Sequence, residues 1–189
     1  MTAAKGKAAI VKHSQSGSRW LLVLFSMVWA ATPTLAADVE VDRAIENLEA
    51  LKKTIRADYP TVEHQTINAY QMADERRLIV DVRSAEEFTL SHLPGAQHIE
   101  DRQTLLQLAK ANPSQQLVLY CSVGVRSSIA AQWLQEQGIS NVVNLEGSIF
   151  EWYNRDLPLV NEFGATEEIH GFNRYWASRY LKDRRQTDK

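Results

Sequence analysis

The 189-residue chain has one cysteine, Cys121, so no disulfide can form within it. It also lacks any apolar stretch of the ~20 residues that a membrane-spanning helix needs; its most apolar segment, Trp20 to Ala31, has twelve. Acidic side chains are missing from residues 1–36, which carry Lys5, Lys7, Lys12 and Arg19. That leaves seventeen basic residues against all 23 acidic ones in the remainder, a balance that excludes a nucleic-acid partner from the expectations. His64, His98 and His170 show no metal-ligand spacing with the lone cysteine, and no cofactor motif occurs, so neither a metal nor a cofactor is expected.

What the opening residues do contain is a leader pattern. A basic start, the segment from Trp20 to Ala31, a break at Pro33 and the small-residue site ending in Ala36 predict a signal peptide over 1–36. The expected location is therefore exported and periplasmic. The alternative is an uncleaved N-terminal segment anchoring the domain to the inner membrane, which is the one membrane association foreseen. In an oxidising compartment an odd cysteine is either free or paired between chains. A lone cysteine is also, by default, a small buried hydrophobe.

The surroundings of Cys121 argue for chemistry instead. The apolar run Leu117 to Tyr120 predicts a strand that delivers the thiol to a turn, and Gly124 allows that turn to curl with its N–H groups facing inward. The residues after Arg126 predict a helix whose N-terminus faces the same spot. Loop amides, a helix N-terminus and a guanidinium each favour thiolate over thiol, and the thiolate is the nucleophile. Arg126 can also grip an oxyanion by a two-pronged contact, or it can serve as an ion pair that closes the loop. Both readings stay open on the sequence alone.

Along the rest of the chain, Val41, Ile45, Leu48, Leu51 and Ile55 recur at helical spacing and predict an amphipathic packing helix over 39–57. A short strand at 62–64 and a short helix at 66–72 follow. Leu78 to Val82 is a buried-type strand, followed by a capping box at Ser84 and Glu87. Further short elements are expected as a strand at His98 and Ile99, a helix capped by Asp101, the strand before Cys121, a helix over 127–137 and a strand at Val142 and Val143. A second capping box is expected at Ser148 and Glu151. Strands alternating with short helices predict an α/β fold, with a mostly parallel central sheet and helices on both faces. Cys121 then falls just past a strand's C-terminal end, where such sheets bind ligands.

Three blocks of residues resemble the rhodanese-like sulfurtransferases. Leu78 to Arg83 with Glu87, Phe88 and His92 to Ala96 is similar to that family's first signature, with Ser91 where Gly is frequent. Cys121 to Ser127 is similar to its active-site loop, C-x-x-G-x-R-S. Leu145, Glu146, Gly147, Ser148 and Trp152 resemble its closing block, with Ser148 in place of a second Gly. The resemblance implies a rhodanese-like domain over 62–160, between an N-terminal helical extension at 37–61 and a C-terminal helical extension at 161–189. It also implies that Cys121 is the catalytic residue, taking a sulfane sulfur from a small sulfur-containing anion such as thiosulfate. The resulting persulfide would pass its sulfur to cyanide or a thiol, with a protein thiol as a further partner. The expected substrate-binding residues are Ser122, Val123, Gly124, Val125, Arg126 and Ser127. Ser122 stands where many family members have a second Arg, so the loop is less positive.

Two other classes compete with this reading. A cysteine phosphatase or arsenate reductase on the same fold resembles C-x5-R, whereas four residues separate Cys121 from Arg126 here. A persulfide carrier or redox sensor without turnover would keep the loop but not the catalysis. Ser127 and Ser128 are expected either to bond to the thiolate or, chiefly, to cap the helix that follows. Asp81 and Arg83 read as structural, His92 as a turn residue and Trp152 as core. Beyond Pro158, Ile169, Phe172, Trp176 and Tyr180 predict a helix over 166–182 that packs on the domain, with a partner-docking surface as the alternative.

Overall fold

The computed structural model describes residues 34–73 and 77–182. The expected leader lies outside the described residues except for its last three, which open the first helix. The chain runs α1 (Thr34–Asp58), β1 (Glu63–Gln65), α2 (Ile67–Met72), β2 (Arg77–Asp81), α3 (Ala85–Leu90), β3 (Gln97–His98) and α4 (Arg102–Ala111). It continues with β4 (Gln116–Tyr120), α5 (Val125–Glu136), β5 (Val142–Leu145), α6 (Ser148–Asn154), β6 (Leu159–Asn161), β7 (Gly164–Thr166) and α7 (Arg174–Tyr180). Five strands form a parallel sheet in the order β1-β5-β4-β2-β3. No helix among the described residues is long and apolar enough to cross a membrane.

The sheet is covered on both faces, which is why its strands are continuous apolar runs rather than alternating ones. Successive side chains of β4 point to opposite sides. Val118 and Tyr120 join one core with Leu48, Ile67, Ile149, Phe150 and Tyr180. Leu117 and Leu119 join the other with Leu105, Ala109, Ala131 and Leu134. Being central, β4 has no exposed edge, and its C-terminal end delivers Cys121 between α5 and α6.

Side-chain caps set most helix starts. Thr66 Oγ1 accepts from Ala69 N, Asp101 from Thr104 N, and Ser84 with Glu87 forms the expected capping box. The second expected box does not form. Helix α6 begins at Ser148 itself, with Gly147 as its cap in the left-handed region at φ 66°. Ser148, also left-handed at φ 50°, turns its hydroxyl back to donate to Leu145 O and accept from Cys121 N. Glu151 is instead drawn to Lys52, whose Nζ stands 2.8 Å from its carboxylate, and to Arg155.

Gly147 admits no side chain. A Cβ there would overlap Glu151, and the positive φ strains any L residue. Gly147→Ala is therefore expected to lower stability by about 1–3 kcal/mol, read as the shift in a urea midpoint. An unchanged midpoint would contradict this packing.

The terminal segments are integral to the core. On α1 Ala44, Leu48, Lys52 and Ile55 are buried; of the expected stripe Leu48 and Ile55 lie in the core, Leu51 packs against it and Val41 is half-buried, whereas Ile45 is exposed and Ala44 and Lys52 take the remaining buried places. Lys52 carries a buried charge because Glu49 and Glu151 both reach it. Burial alone pulls its pKa down, but the two carboxylates outweigh that and leave it raised. Arg56 pairs with Glu146 in the loop before α6.

The C-terminal extension departs from the continuous helix expected over 166–182. Leu159–Asn161 and Gly164–Thr166 pair as an antiparallel hairpin, and only Arg174–Tyr180 is helical. β6 also crosses the expected boundary at residue 160. The reason is local. Thr166 accepts from Glu168 N through its hydroxyl, Phe172 takes a left-handed φ of 64°, and Asn173 caps the helix by accepting from Trp176 N. Even so, Ile169, Ala177, Tyr180 and Leu181 are buried, and Asn47 Nδ2 donates to Arg179 O, joining α1 to α7.

Candidate active site

Cys121 directly follows β4 and opens a tight loop, Cys121 to Gly124, before α5. Gly124 adopts φ 110°, which a side chain would strain, and a Cβ there would press on Asn144. That conformation brings Gly124 N to 3.2 Å from Cys121 Sγ as a donor. The loop carbonyls are occupied from the other side. Ile149 N donates to Cys121 O at 3.2 Å and Phe150 N to Ser122 O at 3.0 Å, so the free N–H groups of the first turn of α6 are satisfied by the loop.

Ser127 and Ser128 do not cap α5; its cap is Gly124, with no side-chain bond. Ser128 Oγ donates to Gly124 O. Ser127 Oγ lies 3.6 Å from Cys121 Sγ and donates to Asn144 Oδ1 at 2.6 Å, and Asn144 Nδ2 in turn lies 3.1 Å from His64 Nδ1. Both serines follow the cap rather than occupy it, so their hydroxyls point inward.

Arg126 is engaged from behind. Its Nη1 and Nη2 each lie 2.7 Å from an oxygen of Glu87, and Nη2 lies 2.9 Å from Ser122 Oγ. Glu87 thus serves both the capping box of α3 and the active-site loop. Burial alone would raise its pKa, yet Arg126 and the Ser84 N–H hold it down at about 2. By linkage, the stability from this depressed carboxyl is complete above the ordinary glutamate range and fades as pH falls through about 2.

Two opposed effects act on the thiol. Cys121 is only 1% exposed, and burial, the largest effect, pushes its pKa up. The Arg126 charge, the Ser127 hydroxyl and N–H, and the Gly124 N–H together outweigh it, leaving the pKa below that of an ordinary thiol. Ser127→Ala is expected to move the pH midpoint of iodoacetamide alkylation upward and to slow the reaction near neutrality about three- to tenfold, with recovery at high pH. An unmoved midpoint would assign Ser127 to Asn144 alone.

A cavity of about 160 Å³ opens onto the thiol. From the loop it is lined by Cys121, Ser122, Val123, Val125 and Arg126, and from the C-terminal segment by Phe172 and Trp176. Of the expected substrate-binding residues, Gly124 and Ser127 contact the sulfur rather than the cavity. Sequence reasoning missed Phe172 and Trp176 here, took Glu87 only for a helix cap and overlooked Asn144. Among the described residues no group of three or more His, Cys, Asp or Glu side chains is placed to hold a metal ion.

Asp81 and Arg83 do not line that cavity and are fully buried, with Arg83 Nη2 2.7 Å from Asp81 Oδ2 and 2.6 Å from Ser91 O. His92 Nδ1 meets Phe88 O at 3.0 Å, and its ring stacks on Phe88, as a turn residue would. Trp152 is core, its Nε1 donating to Pro158 O.

A parallel sheet with a cysteine loop between a central strand and a helix N-terminus is the frame that comparison with known proteins recovers. The rhodanese-like domain matches residues 66–155. The thiosulfate sulfurtransferase GlpE of Vibrio cholerae is 30% identical over 98 residues, covering 51% of this chain and 92% of that protein. The chain belongs to the rhodanese-like family. Another relative, a sulfurtransferase of Allochromatium vinosum, is 32% identical over 91 residues, 48% of this chain and 85% of its own. A thiosulfate sulfurtransferase from Pseudomonas aeruginosa, known from its crystal structure, superposes with a TM-score of 0.52 at 21% identity. It covers 70% of this chain and 26% of that one, and supports the fold alone. This rhodanese-like chain has a sulfurtransferase-type function, of the general transferase class. Helix α1, the β6–β7 hairpin and α7 lie outside the matched residues.

Proposed function

We propose that the protein moves a sulfane sulfur from a donor such as thiosulfate, through a persulfide on Cys121, to cyanide or a thiol. In the first half-reaction the Cys121 thiolate attacks the outer sulfur of thiosulfate. The S–S bond of the donor breaks, and sulfite leaves with its electron pair. In the second, the acceptor's cyanide carbon or thiolate sulfur attacks the outer sulfur of the persulfide and restores the Cys121 thiolate. Charge and electrons balance across the cycle, so no external reductant enters it.

The observation that carries this reading is the environment of Sγ. One backbone N–H at 3.2 Å, one hydroxyl at 3.6 Å and the Arg126 charge favour an anion on sulfur despite burial. The same donors suit the persulfide anion, which places its charge one bond farther out, toward the cavity. Export to the periplasm, or anchoring through an uncleaved N-terminal segment, belongs to the same proposal and rests on the leader pattern. So does a protein thiol as acceptor.

The test is the intact mass of the purified protein after thiosulfate treatment. The expected result is a gain of one sulfur atom, removed by cyanide with release of thiocyanate. No gain from any sulfane donor, or a phosphorylated or arsenylated adduct instead, would overturn the reading.

A further inference from the structure

Given that sulfur-transfer reading, we propose that Phe172 and Trp176 make this site selective for donors that carry the sulfane sulfur on an apolar, ring-sized body rather than on an inorganic oxyanion. Arg126 is the one cation lining the cavity among the described residues, and its guanidinium is already held at two points by Glu87 and by Ser122. A second, doubly charged anion in the cavity would have to share a cation already paired with Glu87 and already facing the Cys121 thiolate, so its lost hydration is only partly replaced.

The walls offer an apolar molecule what they withhold from an anion. Apart from Cys121, Ser122 and Arg126, every lining residue is hydrocarbon or aromatic: Val123, Val125, Phe172 and Trp176. At about 160 Å³ the space matches the size of an apolar cavity that takes up a benzene ring. The Phe172 ring stands 5.0 Å from the Arg126 guanidinium carbon and meets Trp176 edge to face at 6.3 Å, leaving aromatic surface toward the cavity.

These two rings are placed by structure, not left to chance. Phe172 holds its left-handed φ of 64° with its N–H donating to His170 Nδ1 at 3.1 Å. Trp176 is fixed by the Asn173 cap and by packing on Tyr180, whose ring centre lies 5.2 Å away and which is buried. Phe172 nonetheless remains 45% exposed, so hydrophobic surface is still uncovered at the mouth of the site. Both rings belong to the segment beyond the residues matched by the family, so the selectivity is a property of this chain's own extension.

The test compares two monoanionic donors of the same chemistry, benzenethiosulfonate and methanethiosulfonate, at saturating cyanide. With either, the Cys121 thiolate takes the outer sulfur, and the corresponding sulfinate leaves with the electron pair. The expected ratio of kcat/KM, benzene over methane, is about tenfold or more. Phe172→Gly, which suits the positive φ while removing the ring, should bring the ratio to within about threefold of one, and Phe172→Tyr should restore it. Trp176→Leu should reduce it independently. A wild-type ratio near one, or a ratio undiminished in both ring-removing variants, would overturn the inference while leaving sulfur transfer intact. Absence of a persulfide with either donor would instead remove the sulfur-transfer reading, and this inference with it.

Discussion

Cys121→Ser is expected to abolish sulfur transfer, lowering thiocyanate formation by about four orders of magnitude or more, while the protein stays folded. Every step of the proposed cycle is a bond to this sulfur, and the chain has no second thiol to take its place. A serine hydroxyl ionises far above neutrality, and its oxygen cannot form the persulfide. The fold should tolerate the change because a hydroxyl in the same place can accept from Gly124 N and meet Ser127, the two groups that now face Sγ. Far-UV circular dichroism and a thermal melt matching wild type, together with no mass gain from thiosulfate, are the expected observations. A persulfide forming in the variant would show that Cys121 is not the carrier.

The largest expected effect on stability lies elsewhere. Asp81→Asn removes the counter-charge from an arginine with no solvent contact, and a buried pair broken on one side typically loses about 3–5 kcal/mol. The Asp81 carboxylate accepts from Arg83 N at 3.0 Å and from Nε at 2.9 Å, besides the Nη2 contact. Burial pulls the Arg83 pKa down, and Asp81 more than restores it; because an arginine side chain is not deprotonated in proteins, removing Asp81 strands a buried charge. For a chain of this length the melting temperature should fall by about 6–20 °C. Replacing both residues by apolar ones of similar volume should recover much of the loss, because the cost comes from the stranded charge rather than from the missing pair. Near-wild-type stability for the single variant would contradict the burial described here.

The pair also explains why the loop after β2 is reliable ground for the site. Arg83 Nη2 donates to Ser91 O, and the backbone carbonyl of Arg83 meets His98 Nε2, so the segments on both sides of α3 are tied to one buried residue. That region presents Glu87 to Arg126. A structural ion pair and a functional one are therefore linked through a single short helix.

Much of the architecture was legible in the amino-acid order because it follows from local rules. Leu78 to Val82 and Leu117 to Tyr120 are uninterrupted apolar runs, and only strands covered on both faces need that pattern. Ser84 with Glu87 and Asp101 before Leu105 are caps that depend on residues three positions apart. Gly124 announces a left-handed turn within three residues of Cys121, so cysteine, turn and Arg126 could be read as one unit. The same local rules failed at Ser148 and Glu151. There the capping spacing is present, but a buried Lys52 from α1 and the carbonyl of Leu145 compete for the same side chains and win. They failed again beyond Pro158, where an apolar helical spacing is broken by Thr166, Phe172 and Asn173, each satisfying the backbone in a non-helical way.

The sequence by itself determined the α/β class, the parallel sheet and the placing of Cys121 at a strand end, since apolar period, cap chemistry and glycine turns act between near neighbours. Only the tertiary structure decided what surrounds the sulfur. Glu87 reaches Arg126, Asn144 reaches Ser127, and Phe172 and Trp176 close over the loop through contacts between segments far apart in the chain. Such contacts arise when elements pack against both sheet faces, and the spacing of residues along the chain does not encode them.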